Sequence, residues 1–240
     1  MAPQVLFIYN EHLATEGLLG EAFVECGYDI ATFEVVPAER IDDPVGDVTF
    51  PDPTGYDAIV PLGARWPVYD EALRQTWVGA EMQMLRDAAD AGVPTLGVCF
   101  GGQLLAQAFG GSVGRSTSPE IGWHDVTTDD ESLIPGGPWF QWHFDAWTLP
   151  PGATEIARTA NASQAFVFGR ALGLQFHPEL DPGLLDGWLA DDRNGEVASV
   201  GLTHDELRSA TTELTESAAR RIRGLVRGFL SRVAHQPCPS

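Results

Sequence analysis

Lysine is absent from this 240-residue chain, and its 14 arginines stand against 34 acidic residues, a formal net charge of −20. A nucleic-acid binder normally presents a basic patch to the phosphates. The one basic cluster here, Arg220, Arg221, Arg223 and Arg227, falls on a single helical stretch and reads as an exposed face balanced by nearby acids. Nucleic acid is therefore not expected as a partner, and the acidity bears on solubility, not on fold. Long hydrophobic runs are missing as well. No window holds the eighteen or so consecutive apolar residues of a membrane span, so no membrane association is expected. The apolar run Val5 to Tyr9 is too short for the core of a signal peptide, and Met1-Ala2-Pro3-Gln4 before it carries no basic residue, which points to a cytoplasmic protein. Cysteine is scarce: Cys26, Cys99 and Cys238 are the only three. They are too few for a disulfide framework and lack the paired spacing of metal ligands, so no metal and no cofactor are expected. Cys26 and Cys238 read as ordinary buried thiols.

What is present is enough apolar residue, 44% of the chain, to bury one sizeable core. Val5-Leu6-Phe7-Ile8-Tyr9 is a continuous apolar run of the kind found in buried parallel strands. Leu18 to Cys26 has helical periodicity and ends at Gly27; Asp29 to Val35 and Tyr56 to Gly63 read as further strands, separated by a Pro-, Asp- and Gly-rich loop over 37–55. Glu71 to Ala91 reads as one long helix, Val93 to Val98 as a strand, and Gly102 to Phe109 as a helix. This β-α-β-β-α-β-α order implies a three-layer α/β fold of the flavodoxin-like kind, a mostly parallel central sheet with helices on both faces. Residues 112–171 change character to short alternating runs with Pro-Gly turns, expected to form a small antiparallel region on one side of the sheet. Ala171 to Phe176 reads as a last buried strand, and Thr203-His204-Asp205-Glu206 as a capping box opening a helix to about Val233. A single domain over 1–240 is expected.

Gly97-Val98-Cys99-Phe100-Gly101 has the G-x-nucleophile-x-G form of a strand-to-helix elbow. A nucleophile at the tip of so tight a turn has strained backbone, and flanking glycines keep side chains from colliding with the strand and helix. The sulfur would point out of the carboxyl edge of the sheet, where open α/β sheets bind ligands. The helix that follows would aim its N-terminus at it, favouring negative charge, and the Phe100 N–H would be placed to stabilise an oxyanion.

A cysteine nucleophile needs a histidine within reach and a third group to hold that histidine. Of six histidines, His177 stands out because the buried strand Leu172-Gly173-Leu174-Gln175-Phe176 ends on it, which puts it on the same edge as the elbow. Pro178 fixes the backbone there, and Glu179 is close enough to orient the imidazole. His143 reads as a wall residue, and the tryptophans at 139, 142 and 147 as core before pocket.

Gly97-Val98-Cys99-Phe100-Gly101-Gly102-Gln103 together with Gln175-Phe176-His177-Pro178-Glu179 resembles the class I, or triad, glutamine amidotransferases. Within them the chain looks closest to stand-alone domains similar to the amidotransferase part of GMP synthase. Gln141-Trp142-His143-Phe144-Asp145 resembles that group's W-x-H-x-D segment; Glu120 to Trp123 and Leu62-Gly63 through Val68-Tyr69-Asp70 also fit. The resemblance covers about residues 5–180. It implies a triad of Cys99, His177 and Glu179 that hydrolyses the side-chain amide of glutamine through a cysteinyl thioester and releases ammonia. It implies an oxyanion hole from the N–H groups of Gly63 and Phe100, and a substrate site formed by Gln103 with Trp142, His143, Phe144 and Asp145. One departure stands at the oxyanion strand, where the family often shows Gly-Gly-Pro and this chain has Pro61-Leu62-Gly63-Ala64-Arg65-Trp66. The substrate is thus a small molecule, glutamine or another γ-glutamyl compound. About sixty residues follow Glu179, mostly one helix, so an ammonia-accepting synthetase is expected to be a separate subunit. Two alternatives carry the same residues: a γ-glutamyl hydrolase that channels nothing, and a non-catalytic regulatory module.

Overall fold

The computed structural model describes residues 2–192, 194–236 and 238. The chain opens with β1 (Gln4–Tyr9), α1 (Gly17–Glu25), β2 (Asp29–Glu34) and β3 (Ala58–Pro61). It continues through α2 (Glu71–Arg74), α3 (Trp77–Asp90), β4 (Thr95–Val98) and α4 (Phe100–Ala108). Then come β5 (Ser112–Thr128), β6 (Gly137–Thr148), β7 (Thr154–Arg158), β8 (Ser163–Phe168) and β9 (Ala171–Leu174). The C-terminal part holds α5 (Pro182–Ala190), α6 (Glu196–Ser199) and α7 (His204–Gly228), which runs into a π turn over Phe229–Val233.

The strands make one sheet in the order β2-β1-β3-β4-β9-β8-β7-β5-β6. Its first five members are mutually parallel; the other four are antiparallel. The α/β fold read from the sequence is the one observed, but the antiparallel part is larger than expected. It continues the central sheet from β9, and its longest strand, β5, spans 17 residues. Parallel strands covered on both faces must be apolar on both, and β1 shows it. Val5 and Phe7 pack with Phe23 and Phe229 on one face, Leu6 and Ile8 with Trp77, Leu85 and Leu104 on the other. A third cluster, Phe140, Leu184, Leu185 and Leu207 among others, joins α5 and α7 to the antiparallel strands.

Two expectations are corrected by local chemistry, and one helix is added. The stretch from Glu71 is two helices, because Thr76 breaks it: its backbone leaves the helical region (φ −124, ψ −123) and its hydroxyl donates to the Ala72 and Leu73 carbonyls at 3.0 and 3.2 Å. The sequence reading passed over α5, although Asp181 caps it by accepting from Leu184 N–H at 2.9 Å and Pro182 starts it; Gly183 and Gly187 dilute its helical pattern. Cys26 and Cys238 are not separate thiols but a disulfide across 212 residues, tying the end of α1 to the C-terminal segment. A pairing that distant leaves no spacing signal; it depends on α7 returning the chain alongside α1. The capping box at Thr203 and Glu206 forms as read, with Thr203 N–H donating to Glu206 Oε2 at 2.8 Å.

Candidate active site

Four strand ends converge at the carboxyl edge of the parallel sheet. β1 delivers Asn10, β3 delivers Leu62 and Gly63, β4 delivers Cys99, and β9 leads through Gln175 and Phe176 to His177. Cys99 adopts φ +51, ψ −105, a conformation side-chain-bearing residues rarely take, and it is the only buried non-glycine residue with positive φ among those described. The glycines of the motif explain how the strain is accommodated. A Cβ on Gly97 would lie 2.5 Å from the Gly101 carbonyl oxygen, and one on Gly101 would lie 2.0 Å from that of Pro61, so a side chain at Gly97 would drive β4 and α4 apart and one at Gly101 would force the elbow away from β3. Cys99 Sγ sits 3.8 Å from the Trp142 carbonyl oxygen, and Gln175 Nε2 points to it at 3.8 Å. Gln103 in turn donates to Gln175 Oε1 at 3.4 Å, which makes Gln103 a support for the sulfur's surroundings as well as a pocket wall.

His177 is held from three sides. Its backbone N–H donates to the Phe140 carbonyl at 2.8 Å, Nδ1 lies 2.7 Å from Glu179 Oε1, and its ring packs edge-on against Trp188 at 4.8 Å between centroids. Nδ1 therefore carries the proton toward the carboxylate, and Nε2 has no protein partner. Burial alone would lower the proton affinity of this imidazole; Glu179 and Cys99 more than offset it and hold the group well above its ordinary value. Glu179 is itself pinned through its main chain: its carbonyl accepts from the Leu18 N–H at 3.0 Å. Gly17 permits that approach, since a Cβ there would lie 2.0 Å from the same oxygen.

Gly63 stands against both groups: a Cβ built on it would lie 3.2 Å from His177 Cε1 and 3.9 Å from Cys99 Cβ. Phe100 starts α4, so its N–H has no acceptor within the helix; its ring is buried against Trp77. The segment 142–145 lines the same cavity, of about 380 Å³. His143 spends its ring inward, Nδ1 on the Asp145 carbonyl at 3.0 Å and Nε2 on Glu120 Oε2 at 3.1 Å, so only its backbone is left for a ligand. Asp145 receives the Tyr69 hydroxyl at 3.0 Å and has Arg115 at 3.9 Å; Phe144 lies under the Arg115 guanidinium at 4.5 Å. Of the three tryptophans, 139 and 147 are core, and 142 borders the cavity with Nε1 bonded to Glu196 at 2.7 Å. Sequence reasoning missed Trp188, Glu196 and Asn10, which come from segments without a recognisable motif. Arg65 spans the cavity mouth, bonded to Glu11 and to Asp191, each at 2.5 Å. Among the described residues no group of three His, Cys, Asp or Glu side chains is placed to hold a metal ion, and no helix is long and apolar enough to cross a membrane.

The profile of the family Glutamine amidotransferase class-I matches residues 20–192. The chain belongs to the class I glutamine amidotransferases. It is similar to the glutamine-hydrolysing GMP synthase of Aeropyrum pernix, 39% identical over 113 residues that cover 41% of this chain and 22% of that protein. It also matches the Mycobacterium leprae GMP synthase, 32% identical over 146 residues, 57% of this chain and 25% of the other. The aligned part of the chain thus spans about a quarter or less of these curated relatives. Among solved structures, a glutamine amidotransferase from Thermotoga maritima superposes with a TM-score of 0.80 at 25% identity, covering 98% of this chain and all of the other. A glutamine amidotransferase from Methylobacillus flagellatus, 20% identical with a TM-score of 0.80 over 96% of this chain and 95% of its own, shares the fold. Within this amidotransferase the two motifs that carried the resemblance, around Cys99 and His177, are the ones that meet at the cavity floor.

Proposed function

We propose that the protein hydrolyses the side-chain amide of glutamine, with Cys99 as nucleophile, His177 as general acid and base, and Glu179 as the group that orients His177. The observation that carries this is the buried Nδ1–Glu179 contact of 2.7 Å, which leaves Nε2 unpartnered beside a cysteine on a strained elbow. His177 Nε2 takes the thiol proton as Sγ bonds to the amide carbon. The carbonyl oxygen becomes an oxyanion facing the N–H groups of Gly63 and Phe100. The imidazolium then returns its proton to the amide nitrogen, the C–N bond breaks, and ammonia leaves a γ-glutamyl thioester. Water, deprotonated by His177, attacks the thioester; the C–S bond breaks and glutamate departs, restoring the thiol. The imidazolium in this cycle is stabilised by the Glu179 carboxylate, consistent with the raised proton affinity of His177. Gln103 and the backbone from Trp142 to Asp145 bind the amino-acid end of the substrate.

The ammonia acceptor in this reading is a separate synthetase in a cytoplasmic complex; the GMP synthase relatives, in which the matching region is one part of a longer chain, support a synthetase as the acceptor. Ammonia release from free glutamine, with Cys99→Ala as control, tests the proposal. Turnover that disappears in the variant supports it; an inert wild type whose Cys99 also resists thiol-reactive glutamine analogues, with and without a synthetase, sinks it. The second reading, hydrolysis of larger γ-glutamyl compounds, draws on the cavity, whose roughly 380 Å³ reach past the sulfur to Trp66, Trp142 and Trp188. It predicts cleavage of γ-glutamyl amines in preference to glutamine.

A further inference from the structure

Two buried polar side chains beyond the end of β1 and on α3 are not used by the proposed chemistry. Asn10, at the end of β1, and Glu81, on α3, are both wholly inaccessible to solvent. Asn10 Nδ2 donates to the Leu62 carbonyl oxygen at 3.0 Å, while Asn10 Oδ1 and both Glu81 oxygens lack a partner. Asn10 is the polar group that Glu81 meets; no charged side chain among the described residues acts on it, and burial, opposed only by Asn10, pushes its carboxyl up to about 8. An ionised Glu81 would leave three buried acceptors unpaired, its own two oxygens and Asn10 Oδ1, a costly arrangement. A neutral Glu81 removes the conflict, because it carries an O–H donor of its own and leaves Asn10 Nδ2 to Leu62. The orientation of Asn10 is fixed by the same count, since turning the amide over would set Oδ1 against the Leu62 oxygen.

The carbonyl Asn10 holds belongs to the peptide whose N–H is that of Gly63. No peptide among the described residues is cis, so the two groups point in opposite directions. Pulling the Leu62 oxygen toward Asn10, into the core, turns the Gly63 N–H the other way. No hydrogen bond within the protein engages that N–H among the described residues. We propose that Asn10 and Glu81 are positioning residues that lock the Leu62–Gly63 peptide with its N–H presented to the oxyanion, so that the hole is assembled before substrate arrives. This rests on the reading of Gly63 as a hole donor given above. It assigns to β1 and α3 a share in a reaction whose recognised motifs lie elsewhere. It also makes the state of the hole depend on a proton on Glu81: once ionised, the carboxylate competes for Asn10 Nδ2 and the Leu62 oxygen is released.

The experiment compares Asn10→Asp, Asn10→Leu, Glu81→Leu and Glu81→Gln. All are checked for wild-type thermal unfolding, then measured for glutamine hydrolysis, alkylation of Cys99 by iodoacetamide and the amide resonance of Gly63. Alkylation passes through no oxyanion and reads the sulfur alone. Losing the lock is expected to lower kcat by on the order of 10- to 100-fold, short of the 10²- to 10³-fold lost when a hole donor is removed outright, with KM and the alkylation rate within about 2-fold. Glu81→Gln is neutral, keeps an N–H donor in the same place and is expected to retain kcat within about 3-fold. Its kcat should also stay level above pH 8, where that of the wild type declines as Glu81 ionises. The proposal is overturned if folded Asn10 and Glu81→Leu variants keep wild-type kcat, or if kcat, KM and alkylation fall together. Should the wild type leave glutamine and other γ-glutamyl substrates untouched, the proposed function fails on its own. The lock is then judged by the Gly63 resonance: a shift in Asn10→Leu that Glu81→Gln does not share upholds it, and an unmoved resonance overturns it.

Discussion

Replacing Glu81 by Gln should make the protein more stable at alkaline pH and leave it almost unchanged in mild acid. The carboxyl ordinarily titrates near 4.5, and burial in the folded protein raises it to about 8. Below pH 4.5 both the folded and unfolded chains hold the proton, and the group contributes no pH dependence. Between the two values the folded protein binds a proton that the unfolded chain has released, so stability falls as pH rises. Above about pH 8 both states are ionised and the full cost of the buried carboxylate is felt. A shift of this size corresponds to about 4 to 5 kcal/mol, which relaxation around the ionised group will reduce. Glutamine has the same shape, remains neutral, and keeps a hydrogen-bond donor in the same place. Urea unfolding of wild type and variant at pH 5, 7 and 9 is the assay. The two should nearly coincide at pH 5, and the variant should lead by a few kcal/mol at pH 9, with equal m-values. Parallel stability profiles across this range would show that Glu81 is not held neutral. The account of its proton, and with it the pH-sensitive part of the lock, would then be wrong.

Glu179→Gln should lower kcat/KM by about 10²- to 10⁴-fold, because a buried imidazolium loses the carboxylate that stabilises it and the tautomer is no longer fixed. The His177 ring titration, followed by NMR, should move down. In the wild type the raised value means that protonated His177 contributes stability fully below about 6.5 and loses it as pH rises through the folded value, a slope the variant should lack. Gly101→Ala should abolish activity or folding, since its methyl would meet the Pro61 oxygen at 2.0 Å; a variant that keeps wild-type kcat would contradict the elbow geometry. Reduction of the Cys26–Cys238 bridge, or its replacement by Ser at both positions, should lower stability by up to about 5 kcal/mol on the chain-entropy account, given the 212-residue separation, while leaving hydrolysis intact. Unfolding midpoints with and without reductant check this.

The parallel half of the fold was legible because buried strands announce themselves as unbroken apolar runs. β1, β3, β4 and β9 match the stretches read from such runs to within two residues at either end, and the stretches for β3 and β9 overshoot by two residues into the loop beyond. Those two overshoots are informative, since Leu62 and Gln175 still donate their N–H groups to Ile8 and Gln164 past the ends of β3 and β9 and, with Gly63, form the site. The elbow and the His177 strand end were legible for a different reason: glycines at fixed offsets mark close backbone approach, and a Cβ added to Gly97 or Gly101 would lie within 2.5 Å of a main-chain oxygen. What stayed hidden is set by contacts between distant segments. Trp188 looks like any apolar helix residue until α5 folds against His177, and the Cys26–Cys238 pairing needs α7 beside α1. Asn10 is a single amide following an apolar run, and nothing in the sequence says that its partner is Leu62, 52 residues on.

These hidden contacts share a form, and the form bears on how the site can vary. The Pro61 oxygen abuts the elbow, the Leu62 oxygen holds Asn10, the Phe140 oxygen holds the His177 backbone, and the Glu179 oxygen receives Leu18. In each case the main chain of one segment fixes the main chain or a buried amide of another, so the placement of the reacting groups does not rest on exposed side chains. The cavity rim is built differently. Arg65, Glu11 and Asp191 meet there through charged side chains that are partly exposed, and Trp142 and Glu196 close another side. Partly exposed ion pairs contribute little stability and are readily rearranged. The departure at Ala64-Arg65-Trp66 from the family's usual oxyanion strand therefore falls on the part of the site that can change without moving Cys99 or His177. Arg65→Ala should alter KM and the preference between glutamine and larger γ-glutamyl compounds while leaving iodoacetamide alkylation of Cys99 within about 2-fold, because the sulfur's own contacts, Gln175 and Trp142, do not involve it. A parallel loss of alkylation and turnover would place Arg65 in the machinery that holds the sulfur, and the separation of rim from floor would not stand.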